Sequence, residues 1–251
     1  MTSLGVARFD RDGVRHIVLD RPDKKNALTT AMYGQLANAL IDAAADEAIG
    51  AVLLEARGDS FCAGNDLRDF LDQPPHGEDA AVFRFLIGLA TTDMPLVAAV
   101  RGAAVGIGTT MLLHCDLVYA ATTARFSLPF VSLGLVPEAA SSILLPQRIG
   151  RARAGAALFL GEPLSADVAY AAGLVTALVA DDALDVCAED AARAIAAQPR
   201  EAVRRTKRLM THDREAIVAA IRREGAAFRE LLASDDARAA MSAFFARGTR
   251  G

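Results

Sequence analysis

The sequence predicts an α/β protein of repeated β–α units followed by a helical region. Short continuous apolar runs alternate with segments of helical apolar spacing, a pattern typical of parallel strands that helices bury on both faces. The strand pattern largely stops after Val131, and from Arg151 onward nearly all of the periodicity is helical. We therefore expect a β–α core over residues 1–195 and a helical region over residues 196–251. No Pro/Gly/Ser-rich linker separates the two, so we expect them to pack together.

The chain is predicted to begin with a hairpin, a loop and a helix. Strand-like residues 6–10 and 14–20 flank a turn that ends in Gly13, and residues 21–26 form a polar loop. A helix is predicted over residues 30–45. Its apolar residues fall at the spacing of one helix face: Met32, Leu36, Leu40 and Ile41.

The next elements alternate between strand and helix. The predicted order is a strand over residues 51–56, a helix over 80–90, a strand over 96–100, a helix over 106–114 and a strand over 117–120. Apolar strands separated by helices fit parallel crossover units.

Composition and charge argue against several classes of protein. The chain has 27 Lys and Arg against 31 Asp and Glu, a net charge of 27 − 31 = −4, and its basic residues are scattered except near residues 200–208. We therefore expect no nucleic-acid partner. The first residues lack a basic stretch followed by an apolar one, and no run approaches the roughly 18 apolar residues of a membrane span. These features predict a cytoplasmic protein without a membrane partner.

The cysteines and histidines are not arranged like metal ligands. The three cysteines, an odd number, lie in apolar surroundings, which favours buried reduced thiols over disulfides. No metal is predicted, because neither these cysteines nor the four histidines have ligand spacing. These residues are Cys62, Cys115, Cys187, His16, His76, His114 and His212. His114 lies in an apolar stretch, where a hydrogen-bonded core histidine is the more common finding.

Two glycine-containing stretches, residues 58–66 and 101–108, each follow an apolar strand. Glycine permits backbone turns that can aim N–H groups at one point. Brought together, the two turns would form an oxyanion hole, in which the loss of one donor typically costs roughly 3 kcal/mol of barrier. The alternative is that these glycines only allow tight turns between strand and helix.

These stretches belong to a longer series of ordered motifs. In order, the motifs are residues 21–28, residues 58–67 with Phe61-Cys62-Ala63-Gly64 at their centre, the glycine turn ending at Gly108, Cys115-Asp116, and residues 126–135. Over almost its full length the chain resembles the crotonase superfamily of enoyl-CoA hydratases and isomerases, and most of all the peroxisomal-type Δ3,Δ2-enoyl-CoA isomerases. The resemblance implies a ClpP/crotonase-like fold, in which repeated ββα units form a spiral core with a C-terminal helical region.

The resemblance also implies an assembly and a substrate class. The C-terminal region would serve trimerisation, with the helices around residues 210–247 covering a neighbouring subunit in a homotrimer or a hexamer built as a dimer of trimers. The substrate would be an acyl-CoA thioester. No cofactor is implied other than coenzyme A as part of that substrate.

By resemblance, the thioester carbonyl would accept hydrogen bonds from the backbone N–H groups of Asn65 and Ile107. The positions of the two hydratase glutamates are occupied by Thr110 and Phe130, neither of which can act as a base near neutral pH. Glu138 stands where the isomerases place their base. The plainer alternative is that Glu138 caps the following helix or lies on the surface.

Further contacts to the acyl-CoA are implied for the loops around these residues. The implied set is Lys24, Lys25, Ala27, Leu28, Ala63, Gly64, Asp66, Leu67, Gly106, Thr110 and Phe130. Two adjacent lysines are also typical of plain solvated surface, and Asp66 could instead cap a helix beginning near Leu67.

The leading hypothesis is an isomerase that shifts a 3-enoyl-CoA double bond to the 2 position, with Glu138 as acid and base. A hydratase or another crotonase-type lyase is the first alternative. An acyl-CoA-binding homologue without catalytic activity is the second.

Overall fold

A six-stranded sheet organises the part of the chain that the computed structural model describes, residues 5–75, 77, 79–211 and 213–248, in the order β1-β2-β3-β4-β6-β9. The strands along the chain are β1 (Val6–Arg11), β2 (Val14–Leu19), β3 (Ala51–Ala56), β4 (Leu96–Val100), β5 (Ala103–Val105), β6 (Leu117–Ala121), β7 (Arg125–Ser127), β8 (Leu164–Ser165) and β9 (Ala177–Val179). Only the β1–β2 hairpin is antiparallel among the pairs of this sheet.

The chain moves twice from this sheet into a second one. Strand β4 continues into β5 and strand β6 into β7, and β5 and β7 pair in parallel in a small sheet that β8 extends. Between β4 and β5 stands Gly102, at φ +58°, where a Cβ atom would lie 1.9 Å from the carbonyl oxygen of Asp59. Only glycine fits so close an approach. These ββα repeats form the crotonase fold that the sequence predicts.

Eleven helices surround the sheets in the described residues. They are α1 (Thr30–Ala45), α2 (Leu67–Asp72), α3 (Ala81–Thr91), α4 (Ile107–Thr110), α5 (Ser141–Ile149), α6 (Arg151–Gly155), α7 (Ala166–Ala171), α8 (Leu184–Ala196), α9 (Arg200–Met210), α10 (Arg214–Leu232) and α11 (Asp235–Gly248). Short 3-10 turns follow β2 and α4 and precede α5 at residues 131–133, and a π turn at residues 156–160 follows α6.

The first half of the chain follows the prediction closely. The hairpin, the strands over 51–56 and 96–100 and the helix over 30–45 are confirmed. On α1, Met32, Leu36 and Leu40 are buried, but Ile41 is 55% exposed. The prediction that Ile41 shares the apolar face is wrong.

The predicted end of strand structure after Val131 is also wrong. Strand β8 belongs to the small sheet, and β9 pairs with β6 at the edge of the main sheet. Both strands have three residues or fewer, too short to show alternation, so their pairing partners specify them. The predicted helix over residues 106–114 divides into α4 and a 3-10 turn.

The C-terminal helices pack on their own chain. Ala220, Ile221 and Phe228 of α10 and Met241 of α11 are buried in the core that contains α1 and α3. Their apolar faces therefore have a partner within the chain, and the expectation that residues 210–247 also cover a neighbouring subunit stays a prediction. The expected boundary between residues 195 and 196 falls inside the last turn of α8.

Cys62 and Cys115 are buried free thiols, and Cys187 is partly buried. Within the described residues, no helix is both long and apolar enough to cross a membrane.

Candidate active site

A cavity of about 740 Å³ opens between the two glycine turns and the C-terminal helices. The residues predicted for the site that line it are Lys24, Ala27, Ala63, Gly64, Asn65, Asp66, Leu67, Gly106, Ile107 and Phe130. Phe228 of α10 and Met241 and Phe245 of α11 complete the wall. The sequence motifs and the C-terminal helices of one chain thus enclose one space.

Hydrogen bonds join the two turns directly. The N–H of Cys62 donates to the carbonyl of Ala103 over 3.0 Å, and the N–H of Val105 donates to the carbonyl of Cys62 over 2.8 Å. Gly64 adopts φ +95°, and a Cβ atom there would lie 3.2 Å from the carbonyl oxygen of Val105. Glycine therefore allows the first turn to lie against the second.

The backbone N–H groups of Asn65 and Ile107 are left unused by this arrangement. The N–H groups around them have backbone acceptors. The N–H of Leu28 donates to the carbonyl of Gly64, and the N–H of Asp66 donates to the carbonyl of Leu28. The N–H of Gly106 donates to the carbonyl of Ser127 at the end of β7. Ile107 is the first residue of α4, where an N–H has no partner within the helix. In the described residues neither the Asn65 nor the Ile107 N–H donates to another backbone group, so both can donate to a ligand.

Glu138 is buried beside this space, with 7% of its surface exposed. The hydroxyl of Thr110 donates to its Oε1 over 2.5 Å. Burial is the main cause that raises the pKa of Glu138 to about 8, the hydroxyl of Thr110 lowers it, and the charge of Glu224 raises it further. A carboxyl with a pKa near neutral can both accept and return a proton.

A second, smaller cavity of about 20 Å³ lies at Glu138. Asn65, Phe70 and Phe228 line both cavities, so the two are adjacent. The rings of Phe70 and Phe228 meet edge to face with centroids 5.9 Å apart. The small cavity is apolar and has room for about one water molecule, so a ligand that reaches Glu138 must displace these side chains.

The side chain of Asn65 is fixed from the core. The buried hydroxyl of Tyr33 on α1 donates to the Oδ1 of Asn65. Burial raises the pKa of Tyr33 well above its usual value, and the Glu138 and Cys62 charges act in the same direction. Tyr33 therefore remains a neutral donor at physiological pH.

Sequence and structure comparisons identify the family of this chain. The model of the enoyl-CoA hydratase/isomerase family matches residues 10–250. A crystal structure of an enoyl-CoA hydratase/isomerase from Pseudoalteromonas atlantica has a TM-score of 0.93 and 41% identity, with 97% of each chain covered. The chain belongs to the enoyl-CoA hydratase/isomerase family.

Two curated relatives show the range of this similarity. The chain is 38% identical over 194 residues to the 1,2-epoxyphenylacetyl-CoA isomerase of Escherichia coli, with 74% of each protein covered. It is 38% identical over 206 residues to enoyl-CoA delta isomerase 2 of Homo sapiens, covering 79% of this chain and 52% of that protein. The chain thus spans about half the length of the human relative. It is a crotonase-family enzyme that acts on CoA thioesters.

Three of the residues predicted to contact the substrate do not line the large cavity. Lys25 is exposed outside it, Leu28 is fully buried in the core, and Thr110 is buried against Glu138. Leu28 hydrogen-bonds the backbone of the first glycine turn and Thr110 hydrogen-bonds Glu138, so both contact residues of the site without lining the large cavity. The prediction of substrate contact stays a prediction for all three.

The structure distinguishes between the helix-cap alternatives for Asp66 and Glu138. Asp66 does cap α2, accepting from the N–H groups of Arg68 and Asp69, while it also lines the cavity and bonds Arg21 over 2.8 Å. Burial raises the pKa of Asp66, but these hydrogen bonds, Arg21 first, lower it overall. Glu138 is neither exposed nor a cap of α5.

The prediction of a core histidine at position 114 is confirmed. His114 is partly buried, and its Nε2 hydrogen-bonds the carbonyl of Ala139 over 2.8 Å. Burial is the main cause that lowers its pKa to about 4, so the ring is neutral and donates. Among the described residues, no cluster of His, Cys, Asp and Glu is arranged to hold a metal, and His76 and His212 lie outside those residues.

Sequence reasoning missed several residues of the site. Arg21 and Arg68 line the large cavity and supply positive charge there. Glu224 on α10 is buried, although 86 residues separate it from Glu138 along the chain, since 224 − 138 = 86. The apolar stripe of α10 held a signal for it: Glu224 falls at helical spacing from Ala220, Ile221 and Phe228, where a charge is unexpected.

Proposed function

We propose that the chain is a Δ3,Δ2-enoyl-CoA isomerase. One observation carries the proposal: a buried carboxyl, Glu138, lies beside a cavity lined by Asn65 and Ile107, whose backbone N–H groups donate to no other backbone group in the described residues. Isomerisation needs one group that removes and returns a proton, and a site that stabilises the enolate oxygen. The resemblance to enoyl-CoA delta isomerase 2 points the same way.

The thioester carbonyl would bind between the N–H groups of Asn65 and Ile107. Negative charge grows on that oxygen as the C2 proton leaves, and two preformed donors stabilise it without reorganisation. Ile107 begins α4, so its N–H also belongs to the positive end of a short helix. The isoleucine side chain does not affect the donor, which is in the main chain.

Glu138 would take a proton from C2 of a 3-enoyl thioester. The electrons of the C–H bond shift to form a dienolate, and its oxygen would accept hydrogen bonds from the two N–H groups. The protonated Glu138 then delivers the same proton to C4, and the double bond is left between C2 and C3. No water or second carboxyl enters this sequence, and the apolar cavity around Glu138 favours it by leaving little room for water.

The phosphates of coenzyme A would lie toward the basic residues at the mouth of the large cavity. Lys24, Arg21 and Arg68 line that cavity, and Arg21 is partly neutralised by Asp66. Guanidinium groups suit phosphate binding because they can bond two oxygens at once. We expect Arg68 and Lys24 to contribute more than the exposed Lys25.

The test compares purified wild type with Glu138→Gln on 3-hexenoyl-CoA and 2-butenoyl-CoA. We expect the variant to lose isomerisation by at least roughly 10²-fold with little change in KM, because Gln cannot accept the proton. Glu162→Gln, at an exposed position, is the matched control and should retain full activity.

Other outcomes favour the alternatives. Hydration of 2-butenoyl-CoA at a comparable rate would favour a hydratase. Tight binding of acyl-CoA without turnover of either substrate would favour a homologue that lacks catalysis. Isomerisation by Glu138→Gln at the wild-type rate would contradict the assigned base.

A further inference from the structure

An unusual backbone turn follows Glu138. Ala139 and Ala140 both lie in the left-handed region, at φ +60° and +57°. Side chains with a Cβ atom disfavour this conformation, and two such residues in succession persist only where surrounding contacts hold them. Since Glu138 directly precedes this turn, the contacts that hold the turn also constrain the backbone from which the Glu138 side chain extends.

Glu224 of α10 holds the turn from one side. Its carboxylate accepts hydrogen bonds from the N–H of Ala140 over 2.7 Å, from the N–H of Ser142 over 3.0 Å, and from the hydroxyl of Ser142. Burial raises the pKa of Glu224 above its usual value, but all three hydrogen-bond partners are donors and favour the ionised carboxylate. The carboxylate also faces the first turn of α5, where negative charge is stabilised.

His114 holds the turn from the other side. Its neutral ring donates to the carbonyl of Ala139. The peptide group that joins Ala139 to Ala140 is therefore held at both ends: His114 donates to its carbonyl, and Glu224 accepts from its N–H. Both holding residues are remote in sequence from the turn itself.

We propose that Glu224 is a positioning residue for catalysis: its carboxylate holds the Ala139–Ala140 turn so that Glu138 faces the substrate, and it keeps a negative charge beside Glu138. This inference rests on the proposed role of Glu138 as the base. Glu224 does not line either cavity, so it acts through the turn and not on the substrate.

The groups around Glu138 make Glu224 the main source of negative charge there. Tyr33 from α1 and Cys62 from the first glycine turn are neutral, because burial raises the pKa of both. His114 is neutral as well, and on α10 itself Arg229 lines the small cavity and Arg223 acts on Glu224. The Glu224 charge raises the pKa of Glu138, which strengthens it as a base.

Two variants of the full-length protein test the proposal. In Glu224→Gln one carbonyl oxygen can still accept from the turn but the charge is lost. We expect kcat to fall about tenfold with KM nearly unchanged, and the apparent pKa in the pH profile of kcat/KM to fall. Glu224→Ala removes all acceptors, and we expect a fall in kcat of about 10²-fold. Glu230→Gln, exposed on the same helix, is the control and should change nothing.

A second measurement keeps the test independent of activity and of folding failure in Glu224→Ala. The melting temperatures of wild type and Glu138→Gln are measured across a range of pH, and their difference is plotted against pH. The same pair is then measured with Glu224→Gln present in both proteins. The pH at which that difference stops increasing reports the pKa of Glu138 in the folded protein. We expect this upper limit to move to lower pH when Glu224 is replaced by Gln.

The outcomes separate the two proposals. If Glu138→Gln abolishes isomerisation but Glu224→Gln leaves kcat, the apparent pKa of kcat/KM and the upper pH limit of the melting difference unchanged, the positioning role is wrong and the proposed function stands. A loss of activity in Glu224→Gln without any movement of that apparent pKa or of that upper limit shows a merely structural role and also overturns the inference. If Glu138→Gln remains active, the proposed function fails, and the melting measurement still decides whether Glu224 acts on Glu138.

Discussion

At the scale of single residues, Glu138, the proposed base, carries a stability penalty. Burial, opposed by Thr110 and aided by Glu224, raises its pKa from 4.5 to about 8. Between these pH values the folded protein holds a proton that the unfolded chain has lost, so the stability contributed by this site decreases as pH rises. The raised pKa that suits Glu138 to the proposed proton transfer therefore lowers the free energy of unfolding as the pH rises.

The first prediction follows from the direction of this pH dependence of stability. Glu138→Gln should match wild type in stability near pH 4.5 and exceed it increasingly up to about pH 8, by on the order of 4 kcal/mol in full. Thermal or urea unfolding across this pH range measures the difference. Glu162→Gln should show a flat difference over the same range. A Glu138→Gln variant that is less stable than wild type at pH 8 would contradict the raised pKa.

At the scale of elements, close contact between α3 and α10 closes one side of the small cavity at Glu138. Gly225 on α10 lies against Phe83 of α3, and a Cβ atom at position 225 would approach the ring to 2.2 Å. Phe83 is buried, and the guanidinium of Arg229 lies over its ring with 5.1 Å to the centroid. The same α10 carries Glu224, so the helix position matters for the turn after Glu138 as well.

The second prediction concerns this contact. Gly225→Ala should destabilise the protein by about 1–3 kcal/mol, because overpacking against Phe83 exceeds the gain in helix propensity. Gly34→Ala on α1 is the matched control, since a Cβ there meets nothing nearer than 4.0 Å, and it should be neutral or stabilising by up to about 1 kcal/mol. Chemical denaturation measures both, and equal effects of the two substitutions would argue against the close contact.

At the scale of the whole molecule, one chain supplies both the glycine turns and the helices that cover them. Apolar side chains remain exposed elsewhere: Phe159 and Leu160 in the π turn are 73% and 71% exposed, and this turn packs beside the turn at residues 131–133, where Val131 is also exposed. Neighbouring exposed apolar residues often mark contacts between protein molecules. We propose that these residues belong to the contact surface of a homotrimer or a dimer of trimers.

The third prediction tests that assembly. Light scattering after gel filtration should give three or six times the mass of one chain for wild type. Phe159→Asp should shift the protein toward smaller species, because a charge would be buried without a partner in the contact. Ile41→Asp, a similar change at another exposed apolar position, is the control and should keep the wild-type mass. A wild-type protein with the mass of one chain would contradict the proposed assembly.

The resemblance to the crotonase superfamily supplied the expected fold and Glu138, whereas the sequence by itself determined the α/β class and the two glycine turns. These features are local: each glycine turn is encoded within about ten residues, and the long apolar strands and α1 carry their own periodicity. The short strands β5, β7, β8 and β9 escaped prediction because three residues or fewer show no period, and their register is set by the strands beside them.

Only the tertiary structure decided which remote groups set the position and the acidity of Glu138. Glu224 and His114 reach the turn after Glu138 from other parts of the chain, and α10 and α11 cover the site of their own chain. The pKa of a carboxyl depends on burial and on charges that packing brings near it, and no local pattern encodes these. The physical reason is the same throughout: the chain specifies its turns over short distances, whereas desolvation and hydrogen bonding at the site depend on elements that meet only after folding.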